Sequence, residues 1–282
     1  MAIRIITDST SDILQNEFEN VTVIPLTVTI DGKNYRDSVD LSRDEFYTIL
    51  ETSDALPITS LVSPAVFQEA YEKVHQAGDE AIVITVSSVL SGTYQSACLA
   101  AESYDSISVV DSLSVTCGLR ILVKRAMYLV EKGLRRDEIV RILEHEKKRV
   151  RIYASVDTLK YLKKGGRISA GAAIVGGIIG IKPILTLDDG KLIVIGKARG
   201  SVQSNRFLDK KIEEAGGVDF DLPTSTAYSG TDNTNLMNYR KRNEALMGVN
   251  PDAVEITQIG PTVGTHAGPG AVVVAFFAKK EA

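Results

Sequence analysis

Three short apolar runs, IRIIT (3–7), AIVITV (81–86) and SISVVD (106–111), constrain this chain most. Each is too short for a globular helix and reads as a strand. Between and after them lie helical patterns at 42–53, 63–78, 92–103, 119–132 and 136–148. In the second of these, Pro64 stands just inside the start and Gly78 just past the end, the asymmetry of a real helix. Strands alternating with helices imply a parallel sheet with helices packed on its faces. VTVIPLTVTI (21–30) adds one further extended segment.

The second half of the chain reads differently. RIYASV and a helical DTLKYLKKGGRIS are followed by an apolar, glycine-rich run (170–181), then by PILTLDDGKLIVIGKAR, a hairpin around DDG. A helix near 202–215 and the strands TSTAYSG, AVEITQI and AVVVAFFA complete it. Hairpin and crossovers together predict a mixed sheet with helices mainly to one side. With 282 residues the chain is long enough for two domains, and the change of pattern puts the boundary near residue 150. The run 170–181 is too short to span a bilayer; it is either a closely packed buried helix or part of the wall of an apolar tunnel.

Charge divides along the same line. Residues 1–150 carry 15 Lys and Arg against 23 Asp and Glu, while 151–282 carry 17 against 13. Between Arg151 and Lys211 there are 12 basic and 4 acidic side chains, either a solvated face or a docking surface for an acidic partner. A sequence pI near 5.5 and the lack of a recognised binding module argue against a nucleic-acid role. Cys98 and Cys117, with three widely spaced histidines, form neither a disulfide framework nor a metal-ligand pattern. No stretch resembles a signal peptide, and a reducing cytoplasmic setting is the expectation.

In an open parallel sheet, ligands gather where strand carboxyl ends lead into helices. Three polar loops fit: TDSTSD (7–12), Ser87–Thr93 and Asp111–Thr116. Each alone is adequately explained as a helix cap; three on one sheet edge point to a binding site. A nucleophilic serine is one candidate, yet Val89-Leu90-Ser91-Gly92-Thr93 lacks the flanking glycines of an elbow. His266, in THAGPG before an apolar strand, is its available base, with no third member identified. A nucleotide site is weaker still, because the spacing Gly171–Gly177 lacks the Lys-Ser/Thr of a phosphate loop. The remaining reading is an anion held by Ser91, Gly92 and Thr93 at a helix start, suited to one carboxylate.

TDSTSD, VIPLTVTIDGKNYRD, TSLVSP, SSVLSGTYQSA, DTLKYLKKGGRIS, IKPIL with its DDG turn, and THAGPG occur in that order over nearly the whole chain. In this the chain resembles the DegV family, bacterial fatty-acid-binding proteins that serve fatty acid kinase. The resemblance implies an α/β fold: an N-terminal Rossmann-like domain with a parallel sheet (1–150) and a second α/β domain with a mixed sheet (151–282). A long-chain fatty acid would lie between them, its tail in the second. Carried over by matching motif, Thr59, Ser91 and His266 hold the carboxylate, with Ser60, Gly92 and Thr93 in support. Arg167 and Arg199 match positions near the mouth, where they would engage the kinase or a nascent acyl phosphate. Leu61-Val62 stands where the family usually has Gln-Pro. The implied role is that of a carrier rather than an enzyme, with no cofactor or metal, no nucleic-acid partner, no membrane insertion and at most transient membrane contact. The competing readings are a serine-dependent acyl hydrolase using Ser91 and His266, and a carrier of another hydrophobic carboxylic acid.

Overall fold

The structure, a computed structural model, describes residues 1–53, 56–168, 180–243 and 254–280. The first half contains β1 (Ile3–Asp8), β2 (Val21–Ile24), β3 (Thr27–Ile30), β4 (Lys33–Arg36), α1 (Arg43–Thr52) and β5 (Ile58–Ser60). It continues with α2 (Pro64–Gln76), β6 (Glu80–Thr85), α3 (Thr93–Ala101), β7 (Ile107–Asp111), α4 (Cys117–Glu131) and α5 (Arg136–Glu146). The three apolar runs become β1, β6 and β7, which join β2 in a parallel sheet of order β2-β1-β6-β7. Both faces of that sheet are buried. Ile5, Ile82, Ile84 and Val110 pack with residues of α4 and α5, whereas Ile6, Ala81 and Val83 pack with α2 and α3. Residues alternating along one strand therefore feed two cores, as the pleat requires.

VTVIPLTVTI is not one strand. It breaks at Pro25, which has no N–H to donate to a ladder. The half before it is β2; the half after it, β3, leaves for a small antiparallel sheet of order β4-β3-β5. Asp31-Gly32, both at positive φ, close the β3–β4 hairpin. The small sheet has no counterpart in the sequence reading, and its edge strand β5 carries Thr59 and Ser60.

The second half contains β8 (Val150–Ser155), α6 (Lys160–Lys164), β9 (Ile181–Asp188), β10 (Lys191–Arg199) and α7 (Gly200–Glu214). β11 (Ser225–Tyr228), α8 (Thr234–Arg242), β12 (Glu255–Gln258), α9 (Pro261–Ala267) and β13 (Val272–Phe277) follow. Its strands form a six-stranded mixed sheet of order β10-β9-β8-β13-β11-β12. All pairs are antiparallel except β11 with β12. The DDG hairpin forms as read, with Asp189 and Gly190 both at positive φ. α7 and α8 cover one face, burying Leu208, Ile212, Leu236 and Tyr239 against Tyr153, Val272, Val274 and Phe276. The other face is covered from the first half of the chain: α4 packs against β13, β11 and β8. Of the run 170–181, all but Gly180 and Ile181 lies outside the described residues. No helix among the described residues is long and apolar enough to cross a membrane.

Candidate functional site

The three polar loops meet at one edge of the parallel sheet. Ser87 N donates to Ser114 O at 2.9 Å, and Thr116 N donates to Thr10 O at 2.7 Å. Val86 N donates to the Asp8 carboxylate at 2.7 Å. Each loop contributes to the wall of a cavity of about 430 Å³: Thr10 from the first, Leu90, Ser91 and Gly92 from the second, Val115 and Thr116 from the third. That volume lies within the ~300–1,000 Å³ range of small-molecule sites.

The opposite wall is apolar and belongs to the six-stranded sheet. Ile152, Ala154 and Val156, two residues apart along and just past β8, present one face of the pleat to the cavity. Leu185 and Val273 sit beside Ala154 in register on the neighbouring strands and line it too. Leu187 and Leu192, paired across the β9–β10 hairpin, extend the same surface.

Polar groups gather from four separate elements. Thr59 and Ser60 come from β5, Ser91 and Gly92 from the turn before α3, Arg167 from the segment after α6, and His266 from α9. Thr59 Oγ1 and His266 Nε2 are 2.9 Å apart, within hydrogen-bonding distance. The sequence reading placed His266 in a glycine-rich approach to a strand; it stands instead on a short helix. Pro261 starts that helix, and Gly264 lets it approach α1 closely: a Cβ there would lie 2.7 Å from Phe46 and from the Tyr47 hydroxyl. The imidazole lies against Gly165, where a Cβ would come 2.1 Å from Nδ1. That glycine is required by close approach, and no local feature of LKKGGRIS signals it.

Burial, reinforced by the nearby Arg167 charge, lowers the His266 pKa to about 4, so the ring is neutral at pH 7. Because the unfolded chain takes up this proton near pH 6.5, the stability gained by keeping the ring neutral is fully present above that value. It is lost as pH falls from about 6.5 towards 4. Arg167 bridges two segments of the wall, donating from Nη1 to Gly165 O at 2.7 Å and from Nε to Leu90 O at 3.2 Å.

Ser91 and Thr93 divide their work. Ser91 lines the cavity; its Oγ is 2.9 Å from Thr93 Oγ1 and accepts from Thr93 N at 3.3 Å. Thr93 is fully buried behind the wall, where its hydroxyl also accepts from Val62 N at 3.4 Å. Thr93 thus ties the β5–α2 connection to the turn bearing Ser91. Arg199 is exposed at the end of β10 and is not part of the cavity wall. The arrangement suits one anionic head on a long apolar body. A neutral imidazole, the hydroxyls of Thr59, Ser60 and Ser91 and one guanidinium gather in one cavity whose remaining lining is mostly aliphatic.

The family model described as "Uncharacterised protein, DegV family" matches residues 2–279. A DegV domain-containing protein of Caldanaerobacter subterraneus is 38% identical over 287 residues, covering 99% of both chains. A solved DegV family protein from Thermus thermophilus, described for fatty acid binding, superposes with a TM-score of 0.87 at 31% identity, over 98% of this chain and 100% of that one. A stearic-acid-binding protein from Eubacterium ventriosum superposes with a TM-score of 0.85 at 28% identity, over 99% of each chain. The fold is the α/β arrangement of those fatty-acid-binding structures, a parallel sheet joined to a mixed one. With a family model matched from end to end and close relatives along its whole length, this chain belongs to the DegV family.

Proposed function

We propose that the protein binds one long-chain fatty acid in this cavity and presents its carboxylate to a separate kinase for phosphorylation. The observation that carries the reading is a single cavity with a long aliphatic wall and a compact cluster of Thr59, Ser91, Arg167 and His266. The tail supplies the affinity: about fourteen buried methylenes at roughly 0.8 kcal/mol each give about 11 kcal/mol, before association costs. The head supplies position, through hydrogen bonds of roughly 1.5–3 kcal/mol each when one partner is charged. In the neutral tautomer that carries its proton on Nε2, His266 donates to Thr59 Oγ1 and frees the threonine hydroxyl proton for a ligand carboxylate. Ser91 and the Gly92 N–H complete the cradle, with Ser60 beside them and Thr93 behind. A carboxylate held by hydroxyls keeps an oxygen exposed to a phosphoryl donor. Arg167 at the wall and the exposed Arg199 then supply positive charge for the kinase or the acyl phosphate.

The serine-hydrolase reading is less well supported. His266 Nδ1 is buried with no hydrogen-bond partner among the described residues, so no carboxylate orients the ring as a triad requires. Its Nε2 faces Thr59, and Ser91 pairs with Thr93.

Titration with palmitic acid labelled with ¹³C at the carboxyl carbon tests the reading. One bound resonance, distinct from free acid, is expected in the wild type. Thr59→Ala and Ser91→Ala should each move it and weaken affinity roughly tenfold, the cost of about one charge-assisted hydrogen bond. A wild-type spectrum showing only free acid would sink the proposal.

A further inference from the structure

Behind the cavity wall, next to Thr10, Thr116, Ile259 and Thr262, lie three carboxylates that no contact with the cavity explains. Asp8, Asp12 and Asp37 are 0%, 1% and 2% exposed, which is costly for ionisable groups unless every oxygen is satisfied. What satisfies them is informative. Asp12 Oδ1 accepts from Gly260 N at 2.8 Å, and its other oxygen accepts from the Thr116 hydroxyl. Asp37 Oδ2 accepts from Thr262 N at 3.1 Å and from Ser9 Oγ at 3.0 Å, while its Oδ1 accepts from Ser38 Oγ at 2.9 Å. Asp8 accepts from Val86 N and from the Thr10 N–H and hydroxyl.

Two of these carboxylates therefore hold the first turn of α9, and the third holds the start of the turn that leads to Ser91. His266 follows Thr262 by four residues, on the same face of α9, and both residues line the cavity. Fixing Thr262 N fixes the rotation of the helix, and with it the direction in which the imidazole points. Gly260 fits closely between its holders: a Cβ there would lie 3.1 Å from Asp37 Oδ1 and 3.3 Å from Asp12 Oδ1. Burial pushes the Asp8, Asp12 and Asp37 carboxyls upward, and the hydrogen bonds they accept work against that shift by favouring the ionised form.

We infer that Asp12 and Asp37, with Asp8, are positioning residues for the head-group site: they hold α9 and the Ser87–Gly92 turn so that His266 and Ser91 face one ligand carboxylate. The inference rests on the fatty-acid reading for its ligand, but its geometric core does not. It gives the TDSTSD motif and Asp37 a role in preference for an acid rather than in affinity for its tail.

The test uses the full chain with Asp37→Ala, Asp37→Asn and, as a smaller perturbation, Gly260→Ala. Myristic acid and 1-tetradecanol compete against a fluorescent fatty acid, so that head recognition is read separately from tail burial. Asp37→Ala should raise the Kd for the acid on the order of tenfold and leave the alcohol within about twofold. Asn, which keeps an acceptor for Thr262 N, should restore most of the preference, and Gly260→Ala should fall between. In the ligand-free proteins, ¹⁵N spectra should show the His266 pKa rising from about 4 in wild type towards 6.5 in Asp37→Ala, as the ring loses its fixed place. Equal losses for acid and alcohol, or an unmoved His266 titration, would overturn the inference. If wild type binds neither ligand, the fatty-acid reading fails, and the His266 titration alone decides whether Asp37 positions the ring.

Discussion

Ala154→Phe should weaken binding of sixteen- and eighteen-carbon acids by at least ~100-fold while leaving octanoic acid nearly unaffected. Ala154 sits in the middle of β8 between Leu185 and Val273, and all three face the cavity. Its small side chain leaves a lane between two large ones. A phenyl ring there would displace about four methylenes of a long chain, about 3 kcal/mol at roughly 0.8 kcal/mol each. By the usual conversion that is a factor of ~100 or more in Kd. A short acid anchored at Thr59 and His266 has few methylenes to lose to the ring. The same substitution fills space already present and should cost little stability, unlike overpacking a solid core. Isothermal titration with acids of increasing length reads both halves of the prediction. A uniform loss across all lengths would place the tail elsewhere.

Arg120→Ala should lower unfolding stability by about 3 kcal/mol. Arg120, on α4, is 6% exposed, and its guanidinium joins parts of the chain that are distant in sequence. It pairs with Glu17 on the N-terminal loop, with Glu255 on β12 at 2.9 Å, and donates to Asp12 O at 3.2 Å. Removing one partner of a buried ion pair costs about 3–5 kcal/mol, because the remaining charges are left without compensation. Glu255 keeps its pair with Lys124, and the two glutamates retain 26% and 28% exposure, so part of the penalty is relieved and the lower end applies. Urea unfolding should show a lower midpoint with an unchanged slope. A loss under about 1 kcal/mol would mean that the network contributes no more than a surface pair.

Most of the first sheet was legible because its strands are short apolar runs punctuated by helix caps, signals carried by neighbours in sequence. The three polar loops were legible for the same reason: strand ends and helix starts place them on one edge before any contact is known. Pro25 is a local signal too, yet it marks only that VTVIPLTVTI breaks, not that its second half leaves for another sheet. The cover over the second sheet was not legible, because α4 lies in the other half of the chain and its apolar stripe does not state its partner. His266 was singled out, but its helix was not. Pro261 and Gly268 mark its ends, while PTVGTHA has too few strong helix formers for propensity to assert it.

The site's supports are the least legible part. Gly165 is required by an imidazole a hundred residues away in sequence, and Asp12 is required by the N–H of Gly260. Neither demand leaves a mark on the residues around it. Along RIYASV, Ile152 and Ala154 face the cavity and Tyr153 the opposite core, and all three are apolar enough that alternation alone does not separate the faces. Motif resemblance singled out Thr59, Ser91 and His266, which the structure brings to one cavity, because a recurring string of residues carries long-range geometry that one sequence does not otherwise express.

The most direct measurement is mass spectrometry of lipid extracted from the purified wild-type protein, beside an equal amount of Ala154→Phe. Close to one long-chain fatty acid per wild-type molecule is expected, with a shift to shorter acids or to little lipid in the variant. Wild-type protein that carries no fatty acid, and takes none up when it is supplied, would contradict the fatty-acid reading.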